Sequence, residues 1–94
     1  MLSKEYVLEG YNLMMDYIIE NRIKTKNRNF VRRLENFYNK NKDKDLEGKD
    51  ELKYLNLELE FYNTVCIPCN NNEKALLEFL KITLLKEKKL GEME

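Results

Sequence analysis

Apolar residues recur at helical spacing along most of the chain and separate into four blocks. In the first block the polar side chains fall on one narrow stripe when successive residues are placed at about 100° intervals. These residues are Glu5, Glu9, Asn12, Asp16 and Glu20. The remaining circumference is largely apolar, and the preceding Ser3 is a typical N-cap residue. The pattern predicts a helix over about 4–21 with an apolar arc wider than half its circumference.

The second block predicts an amphipathic helix over about 27–42. An apolar stripe with i, i+4, i+7 and i+8 spacing includes Phe30, Leu34, Phe37 and Tyr38. Polar residues occupy the opposite side, so the arginines of this block are predicted to face solvent. The segment 39–50 that follows alternates in charge and contains Gly48, which is typical of a mobile loop.

The third block, 52–65, fits two kinds of secondary structure. Leu55, Leu57 and Leu59 alternate with polar residues as in a strand, whereas Leu52, Leu55, Leu59 and Tyr62 recur at helical spacing. Leucine and glutamate are good helix formers, and no partner strand is evident elsewhere in the chain. We therefore predict a helix over about 51–65, with Asp50 as its N-cap.

A polar interruption precedes the last block. Cys66 to Cys69, with Pro68 between them, and the asparagines at 70–72 are expected to end the third helix. The fourth helix is predicted over about 73–90, capped by Asn72 and stopped near Gly91. The resulting fold class is all-α, a compact bundle of about four helices in a single domain, 1–94.

Three of the predicted helices have apolar arcs wider than a surface helix requires. In a domain of 94 residues, such arcs are buried when one helix is central or when a second subunit covers them. An apolar surface for another protein is the remaining explanation. We expect self-association, with dimerisation completing the bundle.

Basic residues are concentrated in one segment of the chain. All four arginines lie between residues 22 and 33, and Asn21–Leu34 contains no acidic residue. The formal charge is −3 over residues 1–21, +7 over 22–44 and −4 over 45–94, which sums to zero. Arginine presents a planar fork that binds carboxylate or phosphate in a bidentate way. The candidate binding residues are Arg22, Lys24, Lys26, Arg28, Arg32, Arg33 and Lys40.

Two anionic partners suit this basic segment. An acidic protein surface would be attracted by charge and anchored by arginine. The alternative is a nucleic-acid-binding regulator that uses the same residues on phosphates. A domain specialised for DNA usually has a net positive charge, whereas this chain has none. We therefore favour a protein partner and keep nucleic acid as the alternative.

Composition argues against catalysis. The chain has no histidine, one serine and three glycines, and these glycines are too far apart for a phosphate-binding loop. Cys66 and Cys69 form a CxxC motif, but the strand and βαβ unit of thioredoxin-like enzymes are missing. A zinc site would need both cysteines from each of two subunits, which makes it a minor alternative. We expect no enzyme activity and no cofactor, with the cysteines as two semi-buried thiols in a turn.

The apolar runs and the composition bear on where the chain is located and on its biological class. No apolar run is long enough to span a membrane, and the first residues do not form a signal peptide, so we expect a cytoplasmic protein without a membrane partner. Abundant Asn, Lys, Ile and Tyr suggest an AT-rich genome of a bacterium, phage or plasmid. By analogy of class alone, the expected function is that of a small non-enzymatic inhibitor or adaptor that binds another protein.

Overall fold

Four helices account for most of the chain in a computed structural model, which describes residues 1–69 and 73–93 without the side chain of Cys69. Helix α1 spans Lys4–Glu20, α2 Arg28–Asn41, α3 Lys49–Glu60 and α4 Glu73–Glu92. The described residues form no β-strand, only an isolated bridge between Leu2 and Leu46. The predicted all-α fold class with about four helices is confirmed.

The chain divides into two compact units, Met1–Leu46 and Glu47–Glu94. The first unit contains α1 and α2, and the second contains α3 and α4. Helix α1 buries Val7, Met14 and Ile18, and α2 buries a second apolar set consisting of Phe30, Val31 and Leu34. Both sets recur at helical spacing, as expected for amphipathic helices.

The start of α1 is fixed at two points. The Ser3 Oγ accepts a hydrogen bond of 3.1 Å from the Tyr6 N–H, which confirms the predicted N-cap. Leu2 and Leu46 exchange two backbone hydrogen bonds of 2.9 and 2.8 Å, and the Lys4 N–H donates to Asp45 Oδ1 at 2.9 Å. Leu46, in the segment that composition predicts to be a mobile loop, is therefore buried and held by hydrogen bonds.

Helix α1 ends in a Schellman motif with an arginine in the position that glycine usually occupies. The Arg22 N–H donates to the Ile19 carbonyl and the Ile23 N–H to the Ile18 carbonyl, both at 3.1 Å. Arg22 has a φ of +55°. In this left-handed region an L-residue with a Cβ atom is strained by roughly 1–2 kcal/mol, whereas glycine is not.

Helix α3 begins earlier than the sequence predicts. Its N-cap is Gly48, with a φ of +58°, and the predicted cap Asp50 lies inside the first turn. Only glycine adopts this backbone conformation readily, so the turn closes at Gly48 and the helix starts at Lys49. Asp50 still suits its position, because the positive end of the helix dipole favours an acidic side chain there.

The predicted break at the cysteines is wrong, because the chain stays helical past Val65. Phe61–Cys66 is a π-helical segment, and Ile67–Cys69 is again α-helical. The Ile67 N–H donates to the Tyr62 carbonyl, the i→i−5 pattern of a π turn. Such a turn relieves the contact between a proline ring and the carbonyl four residues earlier, which lets Pro68 lie in the helix. The predicted cap Asn72 lies outside the described residues.

In the second unit, α3 and α4 pack against each other. Helix α4 buries Ala75 and Ile82, and Glu51 of α3 forms an ion pair of 3.2 Å with Lys89 near the end of α4. Within residues 1–69 and 73–93, every helix is too short or too polar to cross a bilayer.

Candidate anion-binding surface

Part of the predicted basic segment surrounds a surface concavity of about 710 Å³ in the first unit. Lys24 and Lys26 approach it from the α1–α2 connection, and Arg28 and Arg32 from the first turns of α2. The other residues that line it are Thr25, Asn29, Val31, Glu35 and Asn36. The concavity thus has four cationic side chains and one carboxylate, and we call it the basic concavity.

Local hydrogen bonds position the two lysines next to the two arginines. After the Schellman turn, the Asn27 N–H donates to the carbonyls of Ile23 and Lys24 at 3.2 Å, and the Asn27 Nδ2 donates to the Ile23 carbonyl at 2.9 Å. This tight turn leads directly into α2 at Arg28. Arg28 and Arg32 are one helical turn apart, so their side chains project on the same side of α2.

The remaining predicted binding residues lie elsewhere on the surface. All seven basic residues are exposed, but Arg22, Arg33 and Lys40 do not line the basic concavity. The Arg33 Nε donates to Asn29 Oδ1 at 2.9 Å, and its guanidinium carbon lies 5.9 Å from the centre of the Phe30 ring. Arg33 is thus held along its own helix, whereas Arg28 and Arg32 border the concavity.

The beginning of α2 adds to the positive field of the basic concavity. Its first turn contains no acidic residue, and the N-cap Asn27 makes no side-chain capping hydrogen bond. The positive end of the helix dipole is therefore not neutralised by an acidic side chain in this turn. An anionic group near Arg28 would interact with backbone N–H groups as well as with the cationic side chains.

Glu35 is the functional candidate that the basic-residue pattern missed. It lies three residues after Arg32 and seven after Arg28, so helical spacing places all three on one face of α2. Burial raises the pKa of Tyr11, and the carboxylate of Glu35 and then Tyr38 add to this effect. Glu35 therefore acts electrostatically both on the concavity and on the stacked pair of Tyr11 and Tyr38, whose ring centres are 4.0 Å apart.

The cysteine motif lies in a different setting from the one predicted. Cys66 is 5% exposed and belongs to the π-helical segment, so it is not a semi-buried thiol in an inter-helix turn. Cys66 thus lies inside a continuous helical stretch, whereas the reactive cysteine of redox CxxC motifs lies at a helix N-terminus. The side chain of Cys69 lies outside the described residues. Among the described side chains, no three His, Cys, Asp or Glu residues are grouped to hold a metal ion.

Comparison with protein-family models, with curated proteins and with solved structures finds no match for this chain.

Proposed function

We propose that this chain is a small non-enzymatic protein-binding module of the inhibitor or adaptor kind. It binds an acidic segment of another protein in the basic concavity. The observation that supports this proposal is the convergence of Lys24, Lys26, Arg28 and Arg32 around one hollow of about 710 Å³. A concave surface with several fixed cations can bind several carboxylates of one partner segment at once.

The lining of the basic concavity favours carboxylates over nucleic acid. None of the nine side chains that line it is aromatic, so it offers no ring on which an unpaired base could stack. Glu35 adds a carboxylate to this lining, which would repel the phosphates of a nucleic-acid backbone. A protein partner can instead place its carboxylates beside the cations and a polar group opposite Glu35.

Exposed apolar residues on α1 would supply part of the affinity. Leu8, Leu13 and Ile19 are 43%, 53% and 58% exposed. Charged contacts at the rim of an interface mainly steer association and fix orientation, whereas buried apolar anchors supply more of the binding energy. The basic concavity would thus orient the partner, and apolar residues of the first unit would hold it.

Fluorescence anisotropy with two kinds of labelled probe tests this proposal. The first probe is a peptide of repeated Glu-Glu-Leu triplets, and the second is single- and double-stranded DNA of similar length. The test variant is Lys24→Ala/Arg28→Ala/Arg32→Ala, within the basic concavity. The control variant is Arg22→Ala/Arg33→Ala/Lys40→Ala, which removes the same charge outside it.

We expect the acidic peptide to bind the native chain and the control variant similarly, and the test variant at least about tenfold more weakly. Equal losses in both variants would show a general charge effect and contradict a specific site. Tight DNA binding that falls roughly a thousandfold over a fourfold rise in salt would make the chain a nucleic-acid-binding protein instead. Circular dichroism of each variant checks that its helices are retained.

A further inference from the structure

Helix α4 has an exposed apolar face on the side opposite its buried residues. Leu76, Leu77, Leu80 and Leu84 are 43%, 57%, 56% and 66% exposed, and we call them the leucine face. Helical spacing places all four within a sector of about 100°. The buried Ala75 and Ile82 lie on the opposite side of the helix. The leucine face is therefore not part of the core of the second unit.

A row of lysines runs along one edge of the leucine face. Lys74, Lys81 and Lys88 recur at every seventh position and are all exposed. Residues seven apart on a helix lie on nearly the same side, roughly 10 Å from one another. Lys81 also contacts Glu78 at 3.3 Å, but this pair is exposed, and such pairs are worth little. The lysine row is thus available to a negatively charged partner.

We propose that the leucine face docks an amphipathic helix of another protein. The apolar stripe of the partner helix packs on Leu76, Leu77, Leu80 and Leu84, and a row of carboxylates along one edge of that stripe faces the lysine row. Helix recognition of this kind uses apolar anchors about one turn apart, with flanking charges that select the partner. This surface belongs to the second unit and is independent of the basic concavity.

Charge argues against a second copy of α4 as the occupant. In an antiparallel pair, positions on the same edge of two identical helices face each other, so the two lysine rows would meet. In a parallel pair, residues in the middle of the face meet their own copies. Glu73 and Glu87 lie in the same sector as Leu80, so their carboxylates would be opposed. Both orientations bring like charges together, whereas a partner with carboxylates along one edge avoids this.

The size and the ends of the leucine face argue against an anionic lipid surface. From Leu76 to Leu84 the face extends roughly 12 Å along the helix axis, which is short for an interfacial membrane helix. The face has an exposed carboxylate at each end, Glu73 and Glu87. On an anionic membrane these carboxylates would be repelled by the negative headgroups. A partner helix can instead place polar or basic residues at these two points.

Two synthetic helical peptides test this proposal. They share the same leucine stripe, but one has glutamate and the other lysine along one edge of the stripe. Binding is measured by anisotropy in the Lys24→Ala/Arg28→Ala/Arg32→Ala background, so that the basic concavity does not contribute. We expect the acidic peptide to bind at least about tenfold more tightly than the basic one. The variant Lys74→Glu/Lys81→Glu/Lys88→Glu should reverse this preference.

Two further variants distinguish binding at the leucine face from a general effect of charge on peptide binding. Lys42→Glu/Lys49→Glu/Lys53→Glu makes the same charge change at exposed lysines that do not belong to α4, and it should keep the preference for the acidic peptide. Leu80→Ser/Leu84→Ser should weaken binding of the acidic peptide at least about tenfold without loss of helicity, because both leucines are exposed.

Several results would overturn the proposal. Equal affinity for the two peptides, or full binding by Leu80→Ser/Leu84→Ser, would exclude the leucine face as a charge-selective docking site. A dimer in sedimentation that Leu80→Ser/Leu84→Ser dissociates would identify a second copy as the occupant. Binding to phosphatidylserine vesicles that the same double variant abolishes would identify a lipid surface. None of these outcomes depends on what the basic concavity binds, so the two proposals fail separately.

Discussion

Glu51 and Lys89 form an ion pair of 3.2 Å that joins the first turn of α3 to the last turn of α4. Their side chains are only 8% and 14% exposed. The acidic residue lies at the positive end of one helix and the basic residue at the negative end of the other, so each helix dipole stabilises its charge. The pair also fixes how far the two helices can slide past each other in the second unit.

Breaking this pair should destabilise the chain far more than breaking a surface pair. We expect Lys89→Met to lower the free energy of unfolding by about 3 kcal/mol, because it removes a cationic partner from a carboxylate that is only 8% exposed. Urea unfolding followed by circular dichroism measures the change. Lys81→Met is the matched control, since it removes the exposed pair with Glu78 and should cost less than about 0.5 kcal/mol. Equal losses in the two variants would contradict the structural role of the Glu51–Lys89 pair.

Replacing Arg22 by glycine should stabilise the chain. The φ of +55° at this residue strains any side chain with a Cβ atom, and the Schellman hydrogen bonds hold the residue there. We expect Arg22→Gly to raise the free energy of unfolding by about 1 kcal/mol. Arg22→Ala also removes the guanidinium but keeps the Cβ, so it should change the stability little. A similar gain in both variants would mean that charge, and not the backbone, limits stability here.

Alkaline pH should destabilise the second unit through Tyr62. The pKa of Tyr62 is raised from 10.0 to about 12, mainly by burial and to a smaller extent by Glu78, Glu58 and Cys66. Because the unfolded chain releases the phenol proton first, stability should fall as the pH rises from about 10 to about 12. Tyr62→Phe removes this ionisable group, so urea midpoints at pH 9 and 11 should differ less in the variant than in the native chain. An unchanged alkaline loss in the variant would assign the effect to other tyrosines.

Removing the carboxylate of Glu35 should strengthen anion binding in the basic concavity. We expect Glu35→Gln to bind the acidic peptide about fivefold more tightly, since one repulsive charge is lost at short range. The same change should lower the pKa of Tyr11, which absorbance near the phenolate band can follow. Glu9→Gln removes an exposed carboxylate of α1 that does not line the concavity and is the control. A fivefold gain with this control as well would indicate an effect of net charge alone.

Helix deletions should distinguish the π-helical segment from ordinary α-helix. Removing the exposed Asn63 can convert the π turn into an α turn while the residues on either side keep their faces. We expect this deletion to cost about 1 kcal/mol or less. Removing the exposed Asn56 from α3 instead rotates the buried Leu57 and Glu58 away from their positions, which should cost several kcal/mol. Similar losses for both deletions, in thermal unfolding, would contradict this account of the segment.

Features that depend on periodicity and side-chain chemistry were predictable from the sequence. The polar stripe of α1 and the apolar stripe of α2 identify both helices, because burial of one face requires that spacing. Ser3 was predictable as a cap, since its hydroxyl can accept a backbone hydrogen bond within the same turn. The exposure of Arg28 and Arg32 also follows from their position opposite Phe30 and Leu34.

Features that depend on backbone conformation or on distant pairing were not predictable. Arg22 carries no sign of a positive φ, because that position usually favours glycine. The burial of Leu46 depends on its pairing with Leu2, more than forty residues away. The polar composition of segment 39–50 gives no indication of this burial. The concavity itself depends on the turn at Asn27, so the sequence pattern identified its cations without showing which of them converge.

The π-helical segment has a consequence for recognising relatives of this chain. One additional residue is accommodated between Phe61 and Cys66 without a loop. The hydroxyl of Thr64 donates a hydrogen bond of 2.7 Å to the carbonyl of Glu60. A homologue that lacks this residue would keep a continuous helix and the same buried faces on both sides. Aligned to this chain, it would show a one-residue gap in the middle of a helix. Alignment methods that penalise gaps inside helices would place every residue after this segment one position out of register, and the similarity of that part of the chain would be missed.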